Sequence, residues 1–200
     1  MLKFGIIGAG AIAASGVEGA ALSGAAETVA VADADPRRLA AFAREHSIGR
    51  TFAKAEDLIG DQGIDAVYVA VPNAFHAPYA IAALEAGKHV ILEKPFAVSY
   101  AEARKVVEAA RRSGKVFTVG MNQRFTENAQ RIRALAERGY FGRIYRLRAY
   151  WRRRWGIPRL GTWFGSRALA GGGCFLDLGV HVLDLALWTA GDFDAESVSG

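Results

Sequence analysis

The chain holds one cysteine, Cys174, in 200 residues, with only two methionines and five prolines. A single thiol excludes an internal disulfide framework and any zinc site built from several cysteines. It points to a reducing compartment, and so to the cytoplasm. No unbroken apolar run reaches the ~18 residues that cross a bilayer, so the expectation is no membrane span. Acidic side chains are missing from one whole stretch, between Arg138 and Leu176. There is no internal repeat and no low-complexity segment.

What is present is the composition of a globular protein: 52% apolar and 22% charged residues, too apolar for disorder. The length suits one large domain or two small ones. The net charge of +5 is unevenly spread. Residues 1–100 carry −3 and residues 101–200 carry +8, which suggests two regions with different jobs. Lys3 followed by the apolar stretch 4–14 has the outline of a leader peptide. Its three glycines and minimal positive charge argue instead for a folded element.

Over the first 120 residues, short apolar runs alternate with helical patterns. Strands are expected at 2–8, 28–33, 51–53, 66–71, 89–92 and 116–120. Helices are expected at 11–23, 36–46, 55–59, 75–86 and 100–113. Pro36 suits a first helical turn, Gly87 stops a helix, and Ser99 with Glu102 forms a cap. Continuous apolar strands between helices argue for a parallel sheet covered on both faces. The expected fold class is α/β, with an N-terminal Rossmann-type doubly wound sheet over residues 1–120. Beyond it, 128–138 looks helical and 143–152 alternates apolar with Arg or Tyr, as a half-buried strand does. A loop over 156–173 and a long apolar helix over 174–188 follow. Residues 121–200 therefore read as the beginning of an α+β open-sheet domain.

The chain opens FGIIGAGAIA, where Gly8, Gly10 and Ala13 fit G-x-G-x-x-G/A between a strand and a helix. In that motif the first glycine allows the tight turn, and the second lets a pyrophosphate approach the backbone. The third small residue permits close helix–strand packing. Phosphates then rest on the helix N-terminus, against the backbone around Ala11 and Ile12. Asp33 ends the next strand, where a carboxylate accepts from ribose hydroxyls. The same charge repels a 2′-phosphate and favours NAD over NADP. Arg37 and Arg38 follow at once and supply the opposite device, so NADP stays open.

On the helix over 174–188, His181 lies ~40° to one side of Asp177 and Asp184 ~20° to the other at 100° per residue, one narrow stripe. Such a stripe on an apolar helix is either an internal ion network or the lining of a cleft. A histidine with a carboxylate one turn away suits general-base work. A satisfied polar pair in a core has the same spacing. The glycine run 171–173 ahead of it permits close approach of a ligand. Asp177 and His181 lack a third clustered metal ligand, so no metal site is expected.

These stretches, together with VAVPNAFHAPYA (69–80), HVILEKPFA (89–97), VGMNQRF (119–125) and GGGCFLDLGVHVLDLALW (171–188), resemble one family. It is the glucose-fructose oxidoreductase / inositol dehydrogenase / rhizopine catabolism family of NAD(P)-dependent oxidoreductases. The resemblance implies a hydride transfer to or from a secondary alcohol or ketone of a sugar, cyclitol or related polyol. It implies that His181 takes the hydroxyl proton, that Lys94 bonds the reacting oxygen, and that Asp177 orients substrate or histidine. It places Val71, Pro72, Asn73, His76 and Glu93 near the cofactor, and Asn122 and Arg124 at the substrate pocket. It also implies a homo-oligomeric complete protein and a second domain longer than residues 121–200 supply. Lys94 precedes Pro95, where a cis peptide bond is readily accommodated. A different reading of the same residues is a nucleotide-binding module without turnover.

Eight arginines between Arg138 and Arg159 are interleaved with Tyr140, Tyr145, Tyr150, Trp151 and Trp155. Such a mixture can bind nucleic acid through phosphate contacts and stacking. No nucleic-acid module accompanies it, and the alternation favours an open sheet face that meets a partner subunit.

Overall fold

A computed structural model of the chain describes residues 1–154 and 161–199. The residues fall into two compact units, Met1–Gly120 with Leu160–Gly171, and Met121–Arg159 with Gly172–Gly200. The main stretch of the first unit ends at Gly120. The stretch ending at Gly171 joins the first unit, which a linear reading of composition does not reveal.

The first unit is built on six parallel strands: β1 (Leu2–Ile7), β2 (Ala26–Ala32), β3 (Arg50–Phe52), β4 (Ala66–Val69), β5 (His89–Leu92) and β6 (Phe117–Val119). Their spatial order is β3-β2-β1-β4-β5-β6, the doubly wound arrangement. The stretch that resembles a leader is thus the central strand of the sheet. Neighbouring residues on β1 and β4 face opposite ways and both faces are covered, so these strands are apolar without alternation.

Five helices connect them: α1 (Ala13–Ser23), α2 (Pro36–Glu45), α3 (Ala55–Gly60), α4 (His76–Glu85) and α5 (Tyr100–Ser113). Ile7, Val67, Val69, Val90 and Leu92 pack against α3, α4 and α5. Phe4, Ile6, Val31 and Tyr68 pack against α1 and α2 on the other face. The helix starts follow local chemistry. The Asp35 carboxylate accepts from the N–H of Arg37 and of Arg38 ahead of Pro36. The Ser99 hydroxyl accepts from the Glu102 N–H, as its spacing suggests. Each such cap contributes about 1 kcal/mol.

Lys88 is a departure from expectation for a lysine. It is buried, and its ammonium donates to the carbonyls of Asp61 and Ile64 at 2.7 Å each, tying the loop before β4 to the start of β5. Burial pushes its pKa down. Beside α1, Tyr68, Ile91 and Val116 line a largely apolar cavity of about 550 Å³.

The second unit contains α6 (Glu127–Glu137) and α8 (Val180–Ala190); α7 (Arg167–Ala170) belongs to the first. Two expectations are corrected here. The stretch 143–152 forms no strand among the described residues. An alternating pattern supplies a strand's side chains, but a ladder also needs a partner backbone, and none is paired with it. Trp155 and Arg159 lie outside the described residues. The expected single helix over 174–188 opens with a π-helical turn, Phe175–Gly179, before α8. A π turn is wider than an α turn, so the angles read at 100° per residue do not hold across Asp177.

The membrane expectation also needs amending. By length and composition, Arg167–Ala190 is long and apolar enough to cross a bilayer. It is not one regular helix, since Gly171 takes a left-handed φ of 79° and ends α7.

Candidate functional site

The turn after β1 explains each of its small residues separately. Gly8 has φ +99°, and a Cβ there would lie 2.4 Å from the Ala70 carbonyl oxygen. Only glycine fits, because both the backbone conformation and the space exclude a side chain. Gly10 is different: a Cβ there would meet nothing within 4 Å. Its smallness therefore serves open space beside the turn, not packing. Ala13 is fully buried in the first turn of α1. The first N–H groups of that helix have no carbonyl within the helix, and its first turn carries no acidic side chain. Both features favour an anion at this end. The residues present fit a dinucleotide pyrophosphate.

Asp33 lies beneath the turn, buried and heavily bonded. Its Oδ2 accepts from the Ala9 N–H at 2.8 Å and from Arg38 Nε at 2.9 Å. Its Oδ1 accepts from the Asp35 N–H at 2.8 Å and from Arg38 Nη2 at 2.7 Å. Burial works to raise its pKa, but the guanidinium and the two backbone N–H groups outweigh that and hold the carboxyl below its usual range. The acid expected to receive a ribose thus already braces the glycine turn against α2.

A cleft of about 630 Å³ opens at this end of the sheet. Of the residues assigned to the cofactor from sequence, Gly8, Gly10, Ala11, Ile12, Asp33, Val71 and Pro72 all line the cleft. Sequence reasoning missed Phe75, Tyr79, Trp163 and Phe164, which also line it. The last two come from a loop about 90 residues away in sequence. Their signal was a pair of large aromatics in an otherwise small-residue loop.

The other expected cofactor residues are placed elsewhere. His76 is buried, with its ring nitrogens 2.7 Å from the Pro95 carbonyl oxygen and 2.9 Å from that of Val71. It couples the loop after β4 to the loop after β5, and burial lowers its pKa. Asn73 donates its side-chain amide to the Ala170 carbonyl at 2.9 Å and anchors the stretch carrying Trp163. Glu93 accepts from the Tyr68 hydroxyl at 2.5 Å on the α1 face of the sheet, beside the apolar cavity. Burial, then Glu93, raises the Tyr68 pKa. Lys94, half-buried, follows Glu93 at the end of β5, and the Lys94–Pro95 bond is cis.

In the second unit, His181 is buried on α8, and the Trp151 ring lies 5.7 Å away, tilted 36°. Asp177 sits on the π turn, partly buried. Asp184 lies one turn beyond His181 on α8. It forms a two-pronged ion pair with Arg124, which donates from Nε at 2.7 Å and also from Nη2. The guanidinium lies over the rings of Trp188 and Phe193, and its pairing with Asp184 raises its pKa. Arg124, expected at a substrate pocket, therefore pins the 3₁₀ turn Asn122–Phe125 to α8. Asn122 on that turn is exposed.

Residues 2–121 match the family model described as an oxidoreductase family with an NAD-binding Rossmann fold. Residues 129–200 match the GFO/IDH/MocA C-terminal domain. The chain is 36% identical to 1,5-anhydro-D-fructose reductase of Ensifer adhaerens over 199 residues, all of this chain and 60% of that protein. It is 35% identical to D-glucoside 3-dehydrogenase of Escherichia coli (strain K12), over 86% of this chain and 49% of that one. Levoglucosan dehydrogenase, solved in complex with NADH, superposes with a TM-score of 0.90 at 30% identity, over 96% of this chain and 54% of that one. The chain thus spans about half the length of the relatives it matches. With both of its halves matched in order, the chain belongs to the GFO/IDH/MocA oxidoreductase family.

Proposed function

We propose that this chain binds a nicotinamide dinucleotide and serves an oxidoreductase acting on a secondary alcohol or ketone of a sugar, cyclitol or related polyol. The observation that carries the reading is the cleft above Gly10, where open space meets a helix N-terminus and a fixed carboxylate. Its relatives are named as reductases and dehydrogenases of anhydrofructose, glucoside, levoglucosan and inositol. When bound, the nicotinamide supplies the hydride acceptor or donor.

The protein's own part is proton handling and positioning. His181 takes the proton from the substrate hydroxyl, and its burial limits competition from water. Lys94 hydrogen-bonds the reacting oxygen and steadies the charge that develops there. Asp177 orients substrate or histidine. Asn122 borders the substrate, while Arg124, through Asp184, holds the turn that carries Asn122. The complete protein forms a homo-oligomer, and no nucleic acid or membrane takes part.

Turnover of a polyol panel by the complete protein, followed by nicotinamide absorbance, tests the reading. His181→Ala and Lys94→Ala should each lower kcat by ~10²–10⁴ while leaving dinucleotide affinity nearly unchanged. Near-normal turnover in either variant removes that residue from the chemistry.

A further inference from the structure

Glu93, just past the end of β5, is held between two hydrogen-bond donors. Its Oε1 accepts from the hydroxyl of Tyr68, which reaches over from the adjacent strand β4. Its Oε2 accepts from the backbone N–H of Lys94 at 3.2 Å. Space around the pair is tight. A Cβ on Gly120, just after β6, would stand 3.1 Å from Glu93 Oε1, and one on Gly16 of α1 would stand 2.4 Å from the Tyr68 ring. The cavity wall on that side is otherwise largely apolar, and a carboxylate there is costly unless hydrogen-bonded. The two donors therefore fix its rotamer. Burial, then Glu93, raises the pKa of the Tyr68 hydroxyl, which stays protonated and so remains a donor.

The backbone is held on both sides of Lys94. Before it, the Glu93 N–H donates to the Val69 carbonyl at 3.0 Å, and the Gly120 N–H donates to the Leu92 carbonyl at 2.8 Å. After it, the Pro95 carbonyl oxygen lies 2.7 Å from a ring nitrogen of buried His76. Between these anchors, the Glu93 carboxylate is the group on the N–H of Lys94 itself.

We infer that Tyr68 is a positioning residue for Lys94: its hydroxyl sets the Glu93 carboxylate, and the carboxylate sets the Lys94 backbone from which the ammonium reaches the reacting oxygen. This inference rests on the oxidoreductase reading of Lys94. Tyr68 does not line the dinucleotide cleft, so its effect falls on the rate and not on dinucleotide binding. A reacting group that is slightly misplaced loses rate steeply without losing ligand affinity.

The variant Tyr68→Phe removes the hydroxyl and keeps the ring, and two measurements read it. In the 200-residue chain, amide hydrogen exchange followed by NMR should show the Lys94 N–H exchanging about 10-fold faster, the worth of one hydrogen bond. The ladder amides of Glu93 and Gly120 should exchange as before. In the complete protein, kcat on a polyol substrate should fall about 10-fold while KM for NAD⁺ stays within about twofold. Unchanged exchange at Lys94 overturns the inference. So does a kcat within about twofold of the unsubstituted enzyme. Equal acceleration of all three amides also overturns it, because Tyr68 would then only stabilise the fold. If Tyr68→Phe fails to fold, Gly120→Ala decides by the same two readings, since its Cβ would press on Glu93 Oε1 and push the carboxylate off Tyr68. If the unsubstituted complete protein turns over no polyol, the oxidoreductase reading itself falls, and exchange at Lys94 then decides the brace alone.

Discussion

The two units carry helices of comparable regularity, yet they bury their side chains to very different degrees. Unit one closes two apolar layers over a six-stranded sheet, with Ile6, Val67, Val69 and Leu92 fully inside. In unit two only Ala129 and His181 are buried among the described residues. Phe175 and Leu183, on the most apolar helical stretch of the chain, are 61% and 46% exposed. Periodicity makes a helix amphipathic or apolar, but burial requires a second layer to receive it. Unit two is held instead by directed contacts. Arg124 binds Asp184 and stacks on Trp188 and Phe193, and Arg133 donates to the Trp188 carbonyl from α6. Such contacts fix geometry but remove little apolar surface from water.

The comparison predicts its largest effect in hydrogen exchange. Amides of β1 and β4 should exchange at least ~10³-fold more slowly than those of α6 and α8, since local opening costs follow burial. Equal protection of the two units would show that directed contacts stabilise as well as a closed core does.

A smaller effect separates two glycines of one turn. Gly8→Ala should lower stability by about 3 kcal/mol or more, since a strained φ and a backbone clash add. Gly10→Ala should leave the melting temperature within a degree or two while weakening NAD⁺ by ~10-fold, because its Cβ would enter only ligand space. Thermal melts and calorimetry on both variants read the two effects apart. Equal melts would mean that the turn can relax around Ala70.

The smallest effect is at low pH and belongs to unit one. Asp33 has a folded-state pKa below that of the unfolded chain. Its stabilisation is therefore complete above the ordinary carboxylate value of ~3.9 and is lost as pH falls from there through the lower folded value. Urea unfolding between neutral and acid pH should show Asp33→Asn with a shallower acid-side decline than the unsubstituted chain. An unchanged slope would mean that the Arg38 pairing contributes nothing to folding.

The glycine turn, the alternation of strands and helices, the proline at the start of α2 and the cap at Ser99 were all legible in the sequence. They depend on residues within a few positions of one another, where propensity, capping and periodicity act. The stripe of Asp177, His181 and Asp184 was legible as a stripe but not as a set of roles, because Asp184 finds its partner 60 residues away. The position of His76 in the VAVPNAFHAPYA stretch gave no sign that its ring joins two loops through their carbonyls. The strand pattern at 143–152 was visible, but a ladder depends on a partner that pattern alone cannot supply.

By itself, then, the sequence determined the identity and order of the strands and helices over residues 1–120, and the chemistry of the first turn. Only the tertiary structure decided who meets whom: Trp163 and Phe164 at the cleft, Lys88 on two loop carbonyls, and Arg38 on the carboxylate meant for a ribose. Local order follows from steric and hydrogen-bonding preferences that act within a turn or two of the chain. Long-range pairing is chosen by which buried polar groups can be satisfied at once, and that depends on the packed whole.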